Sequence, residues 1–291
     1  MADVAAVVVT YNAMPWLERC LESLGGAECV VVDHGSSDGS VEAARAAGVT
    51  VVEQENLGLA AGWNRGLRET ESRYALILNA DAWLVGDALE RLVAFADAHP
   101  RAAVVGPRLR NPDGTLQPSV RGFPTLWRLA TEFFFLRKLA PRSRALNGFY
   151  AAGFDHESVT EAEFVMGAAM LVRRDAIAEV GPLDESFFLF SEEVDWCYRF
   201  EQAGWQVLFT PEAEVVHVRG ASHGGRLFDQ LVLGHVRFLA KHRGLGYAER
   251  ARKLLVVSLR LRGLLFRGER GEMYREGARF LASGSAEALL R

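Results

Sequence analysis

The stretch YALILNADAWL, residues 74–84, places five strand-like apolar residues, Tyr74 to Leu78, ahead of Asn79, Ala80 and a single carboxylate at Asp81. A short aliphatic run stopped by turn-forming polar residues predicts a buried strand. Three earlier segments have the same form: VAAVVVTYN (4–12), ECVVVDHGS (28–36) and VTVVEQEN (49–56). Between them, PWLERCLESL (15–24) opens with proline at a first helical position, SDGSVEAARAAG (37–48) closes on glycine, and GLAAGWNRGLRETES (58–72) repeats its apolar residues at helical spacing. Strand and helix therefore alternate, which predicts an α/β sheet with parallel strands and helices on both faces. Ligands of such sheets sit outside the carboxyl ends of the strands. Thr10, Tyr11, Asn12, Asp33, His34, Asn56 and Asp81 all fall just past strand ends and are expected to converge on one crevice. Asn and Asp also end strands as plain turn formers and caps; the set, more than any single residue, points to a site.

The chain has 291 residues, 49 % hydrophobic and 24 % charged, the make-up of an ordinary soluble globular protein with one catalytic-sized domain and an appendage. Its three cysteines, Cys20, Cys29 and Cys197, are odd in number and form no CxxC pair, so neither a disulfide framework nor a zinc site is expected, and a reducing cytoplasm is the simplest home. The first apolar run is too short for a signal peptide or a membrane span, and export by a cleaved signal is not expected. The net charge of −4 hides an asymmetry: residues 226–291 carry 14 Lys and Arg against 6 Asp and Glu, a net +8, which leaves −12 on residues 1–225. A basic tail on an acidic body suits an anionic surface, although a solvated helical face explains it as well.

After AAVVGPRLRNPDGTLQPSVRGFPT (102–125) the alternation breaks down. Residues 107–160 hold prolines, arginines and the aromatic cluster LWRLATEFFFLRKL without a strand period, the pattern of a substrate-binding lid or loop. Phe133, Phe134 and Phe135 within it are either core or a contact for acceptor or membrane. Order returns over 163–225, with an apolar strand, a short helix, an acidic loop, a helix starting near Glu193, and a strand from WQVLFTP to EVVHV. Beyond it lie two or three basic amphipathic helices. Their apolar run LLVVSLRLRGLLF is interrupted by Ser258, Arg260 and Arg262, so it would lie on a membrane rather than cross it, or pack against a second subunit.

Three constellations carry chemistry. Asp33, ahead of the turn-rich HGSSDGS, can accept from an imide or amino N–H of a nucleobase, with the Tyr11 ring beside it. No GxGxxG or GxxxxGKS sequence is present, which removes the dinucleotide and P-loop readings. Asp81 is the candidate ligand for Mg2+ or Mn2+, cations that need only one or two protein carboxylates when substrate phosphates complete the shell. Asn79 lies on the same side of an extended chain, and His217 is a second ligand or a plain strand cap. The cluster SEEVDW brings Glu192, Glu193 and Asp195 together, which either raises a carboxyl pKa towards general-base use or caps a helix.

With these residues in place the chain resembles glycosyltransferase family 2, inverting enzymes of the GT-A fold, from about residue 4 to 225. The carriers are VVVTYN, VVDHGSSDGS, ENLGLAAGWNRGL, LILNADAWL, VMGAAMLVRR, GPLDESFFLFSEEVDWCYRF and HVRGASHG, in order. GPRLRNPDGTLQPSVRGFPT looks most like bacterial rhamnosyltransferases that use dTDP-rhamnose. The resemblance implies a GT-A domain over 1–225 and a basic helical extension over 226–291. It implies that Thr10, Tyr11 and Asp33, beside Asn12, hold the nucleoside, and that Asn56, Gly58 and Asn64 belong to the donor-binding block. Asp81 matches the second aspartate of the DxD motif, with Asn79 in place of the first and His34 in place of a common asparagine. Glu193, flanked by Glu192 and Asp195, takes the catalytic-base position. His217, Gly220 and Ser222 match the block that reaches metal and pyrophosphate, and Arg121, Gly167 and Ala168 would shape the acceptor pocket. The implied activity is divalent-metal-dependent transfer of L-rhamnose from dTDP-rhamnose, or of another sugar from a UDP or GDP donor, onto a lipid-linked or polysaccharide acceptor. It would take place in the cytoplasm at the inner membrane face, with no nucleic-acid partner. A nucleotidyltransferase and a non-catalytic carbohydrate-binding homologue are the competing readings.

Overall fold

The computed structural model describes residues 3–218 and 228–290. In chain order the first half contains β1 (Val4–Thr10), α1 (Trp16–Glu22), β2 (Glu28–Asp33), α2 (Ser40–Ala46), β3 (Thr50–Glu53), α3 (Leu59–Arg68), β4 (Tyr74–Asn79), β5 (Ala82–Leu84), α4 (Ala88–Ala98) and β6 (Ala102–Arg110). The second half contains β7 (Leu116–Gln117), β8 (Val120–Arg121), α5 (Leu126–Phe133), β9 (Thr160–Glu161), β10 (Phe164–Val165), β11 (Ala169–Arg173), α6 (Arg174–Val180), α7 (Glu192–Gln202), β12 (Gln206–His217), α8 (Phe228–Arg243), α9 (Leu245–Leu265), α10 (Gly268–Ala282) and α11 (Ala286–Leu290).

The main sheet runs β3-β2-β1-β4-β11-β6-β12-β5. The expected strands β1 to β4 pair in parallel, as anticipated for strands linked by helices. The antiparallel β11 enters between β4 and β6, and the antiparallel β5 closes the far edge on β12. Side chains alternate between two cores, because successive residues of a strand face opposite ways. Val7 and Ile77 pack into the layer containing α3, α7 and the C-terminal helices, while Val8 and Leu78 pack into the layer of α1 and α4. Each such fully buried aliphatic contributes roughly 1.5–3 kcal/mol of transfer free energy. Helix α3 lies close to the sheet through Gly66, where an added Cβ would overlap Val7.

Residues 107–160 are not a structureless loop: they build β7, β8 and α5, and β8 pairs with β10. The C-terminal segment has a short fourth helix, α11, beyond the expected two or three. Its helices share the first core with the sheet. Arg262, expected on the outside of its helix, points inward. It donates to the carbonyls of Phe133 (2.8 Å) and Glu132 (2.5 Å), and its guanidinium lies 4.1 Å from the Phe135 ring centroid. Phe133 is buried core, and Phe135 packs on Phe266. No helix among the described residues is long and apolar enough to cross a membrane.

Candidate active site

The nucleoside end is built where β1 and β2 stop side by side, with Thr10 opposite Asp33 in the parallel register. Asp33 Oδ1 accepts from the backbone N–H groups of Gly35 and Ser36, both at 2.9 Å. Its Oδ2 and the Thr10 hydroxyl are buried without a hydrogen-bond partner among the described residues. Unmet polar atoms of this kind cost about 1–3 kcal/mol each, which a ligand donor recovers. Asn12 takes a left-handed turn and clasps the loop: its N–H donates to Ser36 Oγ and its Oδ1 accepts from Ser37 N–H, each at 2.8 Å. Tyr11 is exposed beside them. His34 is buried against α3; burial lowers its pKa, opposed by the Asp33 charge and a hydrogen bond with Asn56.

The donor block divides. Asn56 is exposed and accepts from Gly58 N–H at 3.2 Å. Gly58, at φ +97°, has room only for hydrogen: a Cβ there would lie 2.5 Å from the Phe188 carbonyl oxygen. Asn64 is buried, with its amide NH2 donating to Leu183 O and Glu185 Oε1 and its Oδ1 accepting from Leu183 N–H. Both residues expected to touch the donor therefore seat the loop that leads into α7.

At the phosphate end, β5 pairs with β12 so that Ala82 opposes His217, and Val218 N–H donates to the Asp81 carbonyl at 3.0 Å. This pairing brings His217 Nε2 to 3.4 Å from Asp81 Oδ1 and 3.5 Å from Asn79 Nδ2. Sequence reasoning missed Gln117, which is buried with its Nε2 donating to Asn111 Oδ1 (2.8 Å) and to the His217 carbonyl (3.2 Å). Its Oε1 lies 2.7 Å from His217 Nδ1. An amide oxygen only accepts, so Nδ1 carries a hydrogen, and in the Nδ1–H tautomer the Nε2 lone pair would face the Asp81 carboxylate. Two acceptors facing each other at this distance fit a shared cation, and the outer hydrogen bond is the usual orienting device of a metal-binding histidine. No group of three or more His, Cys, Asp or Glu that could hold a metal exists among the described residues. Among the described residues Asp81 and His217 are the pair that could hold Mg2+ or Mn2+, with phosphate and water completing the shell. Ser222 and Gly220 lie outside the described residues.

The base end is the first turn of α7, entered through Phe190 and Ser191, both in left-handed conformation. Glu193 accepts from the Gly167 backbone N–H, and its Oε2 has no hydrogen-bond partner among the described residues. A Cβ at Gly167 would lie 2.9 Å from the Trp63 ring and 3.6 Å from Glu193 Cβ. The next residue, Ala168, accepts from Asn79 N–H at 3.0 Å, so two consecutive residues join the base end to the phosphate end. Burial raises the pKa of Glu193, and burial with the Glu193 charge raises that of Glu192 further. Glu192 is fully buried, whereas Glu193 keeps an open side. Asp195 does not join them. It is completely buried and bound by Arg199 Nε, His242 Nε2 and Lys241 Nζ, each at 2.8 Å. Burial pushes its pKa up, but the His242 and Lys241 hydrogen bonds and the Arg199 charge bring it below the ordinary value. A carboxylate bound in this way ties α7 to α8 and is held in its charged form. Arg121 stacks at 4.3 Å on Tyr150 and reaches Met166 Sδ at 3.8 Å, beside the Gly167 segment.

A mostly parallel sheet flanked by helices, with an Asp–His pair at its strand ends and a buried glutamate near it, is the architecture of the GT-A glycosyltransferases. The family model described as glycosyl transferase family 2 matches residues 5–181. The chain belongs to that family. It is 32 % identical over 248 residues to an N-acetylglucosaminyl-diphospho-decaprenol L-rhamnosyltransferase of Mycobacterium tuberculosis, covering 77 % of this chain and 79 % of the relative. A pre-mycofactocin glycosyltransferase of the same organism is 29 % identical over 222 residues, 74 % of this chain and 42 % of the relative. Among solved structures, a mannosyltransferase of Pyrobaculum calidifontis in complex with GDP-Man and Mn2+ superposes with a TM-score of 0.57 at 19 % identity, over 99 % of this chain and 78 % of that one. GalNAc-T7 with UDP, GalNAc and Mn2+ gives 0.60 at 16 % identity, over 95 % of this chain and 54 % of that one.

Proposed function

We propose that this glycosyltransferase is inverting and divalent-metal-dependent, and that it moves L-rhamnose from dTDP-rhamnose onto a lipid-linked glycan at the inner face of the cytoplasmic membrane. The donor sugar and the lipid-linked acceptor rest on the likeness to the rhamnosyltransferase. The observation that carries the mechanism is the Gly167–Ala168 bridge between Glu193 and the Asn79–Asp81–His217 cluster. Asp33 Oδ2 and the Thr10 hydroxyl would take the base N–H and carbonyl groups, with Tyr11 alongside. Glu193 takes the proton of the acceptor hydroxyl as its oxygen bonds to the anomeric carbon; the bond from that carbon to the diphosphate oxygen breaks, and its electron pair leaves with the nucleoside diphosphate. A cation held by Asp81 and His217 would supply Lewis-acid neutralisation of the departing diphosphate. A single displacement inverts the anomeric centre, and burial of Glu193, whose Oε2 has no hydrogen-bond partner among the described residues, favours its taking a proton.

Purified protein with Mn2+ is expected to release nucleoside diphosphate from dTDP-rhamnose when a polyprenyl-diphosphate-linked GlcNAc is present, with inverted configuration by NMR. Turnover with UDP or GDP sugars alone would overturn the donor assignment. Failure with every nucleotide sugar, with and without acceptor lipid, would overturn the enzymatic reading.

A further inference from the structure

The outer face of α9 is made of two kinds of residue only. Arg250, Lys253, Val257, Arg260, Leu261, Leu264 and Leu265 are its large exposed side chains past the first turn, and no acidic residue lies among them. At 3.6 residues per turn they fall within roughly 140° of the circumference. The aliphatic members are unusually open, Leu264 at 82 % and Leu265 at 71 % exposure. The inner face is already satisfied, with Ala248, Ala251, Leu255 and Leu259 in the core and Arg262 bonded to the α5 carbonyls. The cations are sorted in the same way. Arg252 is paired with Glu249, and Arg275 and Arg279 with Glu272, whereas Arg250 and Arg260 have no carboxylate partner among the described residues. Beside the stripe, a groove of about 560 Å³ runs between α9 and α10, with Gly263, Leu264, Ala278 and Ala282 as apolar lining and Arg260 at its edge.

We infer that this face is an interfacial docking surface for an anionic lipid bilayer. The leucines enter the headgroup boundary, Arg250 and Arg260 meet lipid phosphates, and the groove receives the edge of an acyl chain. A helix that lies in the interface carries this pairing of cations with large aliphatics, and none of the described helices crosses the bilayer. A second copy of the chain is the poorer occupant. In a two-fold contact the stripe would meet itself, and Arg250 and Arg260, which have no carboxylate partner among the described residues, would face their own copies, while Lys253 already shares Glu249 with Arg252. The inference sharpens the membrane placement proposed above but needs neither donor nor acceptor, so it stands or falls separately.

The test is co-sedimentation of the full chain with vesicles of equal parts phosphatidylglycerol and phosphatidylcholine, against vesicles of phosphatidylcholine alone. The protein is expected to sediment with the anionic vesicles, to be released by salt, and to stay in solution with the neutral ones. The double substitutions Leu264→Ser with Leu265→Ser, and Arg250→Gln with Arg260→Gln, should each weaken anionic binding by roughly 10- to 30-fold. All four side chains are exposed, so melting temperature and nucleoside diphosphate affinity should stay at the wild-type values and exclude misfolding. Equal binding to neutral vesicles, no binding to anionic ones, or wild-type binding by both variants would overturn the assignment. A dimer that the leucine variant dissociates would give the face to a subunit contact.

Discussion

The first turn of α7 and the neighbouring ends of β4 and β12, the proposed base and metal ends of the site, are prepared in opposite ways. At the strand ends every group has an orienting partner: Gln117 holds His217, and Asn111 holds Gln117. At the helix turn one carboxyl oxygen of each of Glu192 and Glu193, the Oε2, has no hydrogen-bond partner among the described residues. The difference follows from the tasks. A ligand pair gains from a fixed lone pair, while a base gains from an environment that makes it hold a proton. Asp195, on the same turn, shows the alternative: bound by Arg199, Lys241 and the His242 ring, it becomes a structural tie.

The largest expected effect breaks the base end. Glu193→Gln should lower kcat by about 10²–10⁴-fold while donor affinity by calorimetry changes little; loss of donor binding instead would move Glu193 into the binding machinery. In the wild type, kcat/KM should fall as pH drops through the Glu193 pKa, at a higher pH than an ordinary glutamate because burial raises it. Next comes Asp195→Asn, expected to destabilise the protein at neutral pH by about 3 kcal/mol in chemical denaturation, because Arg199 and Lys241 lose their carboxylate and His242 its acceptor. Its folded pKa is depressed, so that stability is present above the ordinary aspartate range and is lost as pH falls through the folded value.

The metal end is broken more gently. Gln117→Leu removes the acceptor for His217 Nδ1–H and should weaken Mn2+ binding, read as free Mn2+ by electron paramagnetic resonance, by about 10–100-fold. Gln117→Glu, which keeps the acceptor, should restore most of it. The smallest effect sharpens the comparison: Glu192→Gln should stabilise the fold by about 1 kcal/mol near neutral pH and leave kcat within a few-fold. A carboxyl whose pKa is raised by folding loses stability as pH rises from its unfolded value through the folded one, so the variant's advantage should vanish below about pH 4. Stabilisation that persists at acid pH would show that charge is not its source.

What the sequence made legible was whatever local pattern determines. The aliphatic runs gave β1 to β4, and the polar residues that stop them marked Thr10, Asp33 and Asp81. What stayed hidden depends on distant partners. Asn64 reads like any helix asparagine until Leu183 and Glu185 occupy its amide. Asp195 looks like a third helix-start acid until Lys241 and His242 arrive from α8. Gln117 carries no local signal beyond following a turn-rich NPDGT, because its role comes from a histidine 100 residues away. Arg260 and Arg262 are two positions apart in one helix, yet only the packing of α5 decides that one faces out and the other in.

The β5–β12 pairing has a consequence for the order of events as the chain is made. Asn79 and its neighbour Asp81 emerge early, but the histidine that completes their cluster comes 138 residues after Asn79, on the last strand of the sheet. Long-range pairings of this kind form late. In a growing chain β1 and β2 can therefore pair before β12 exists, whereas the Asn79–Asp81–His217 cluster is complete only once β12 has paired with β5.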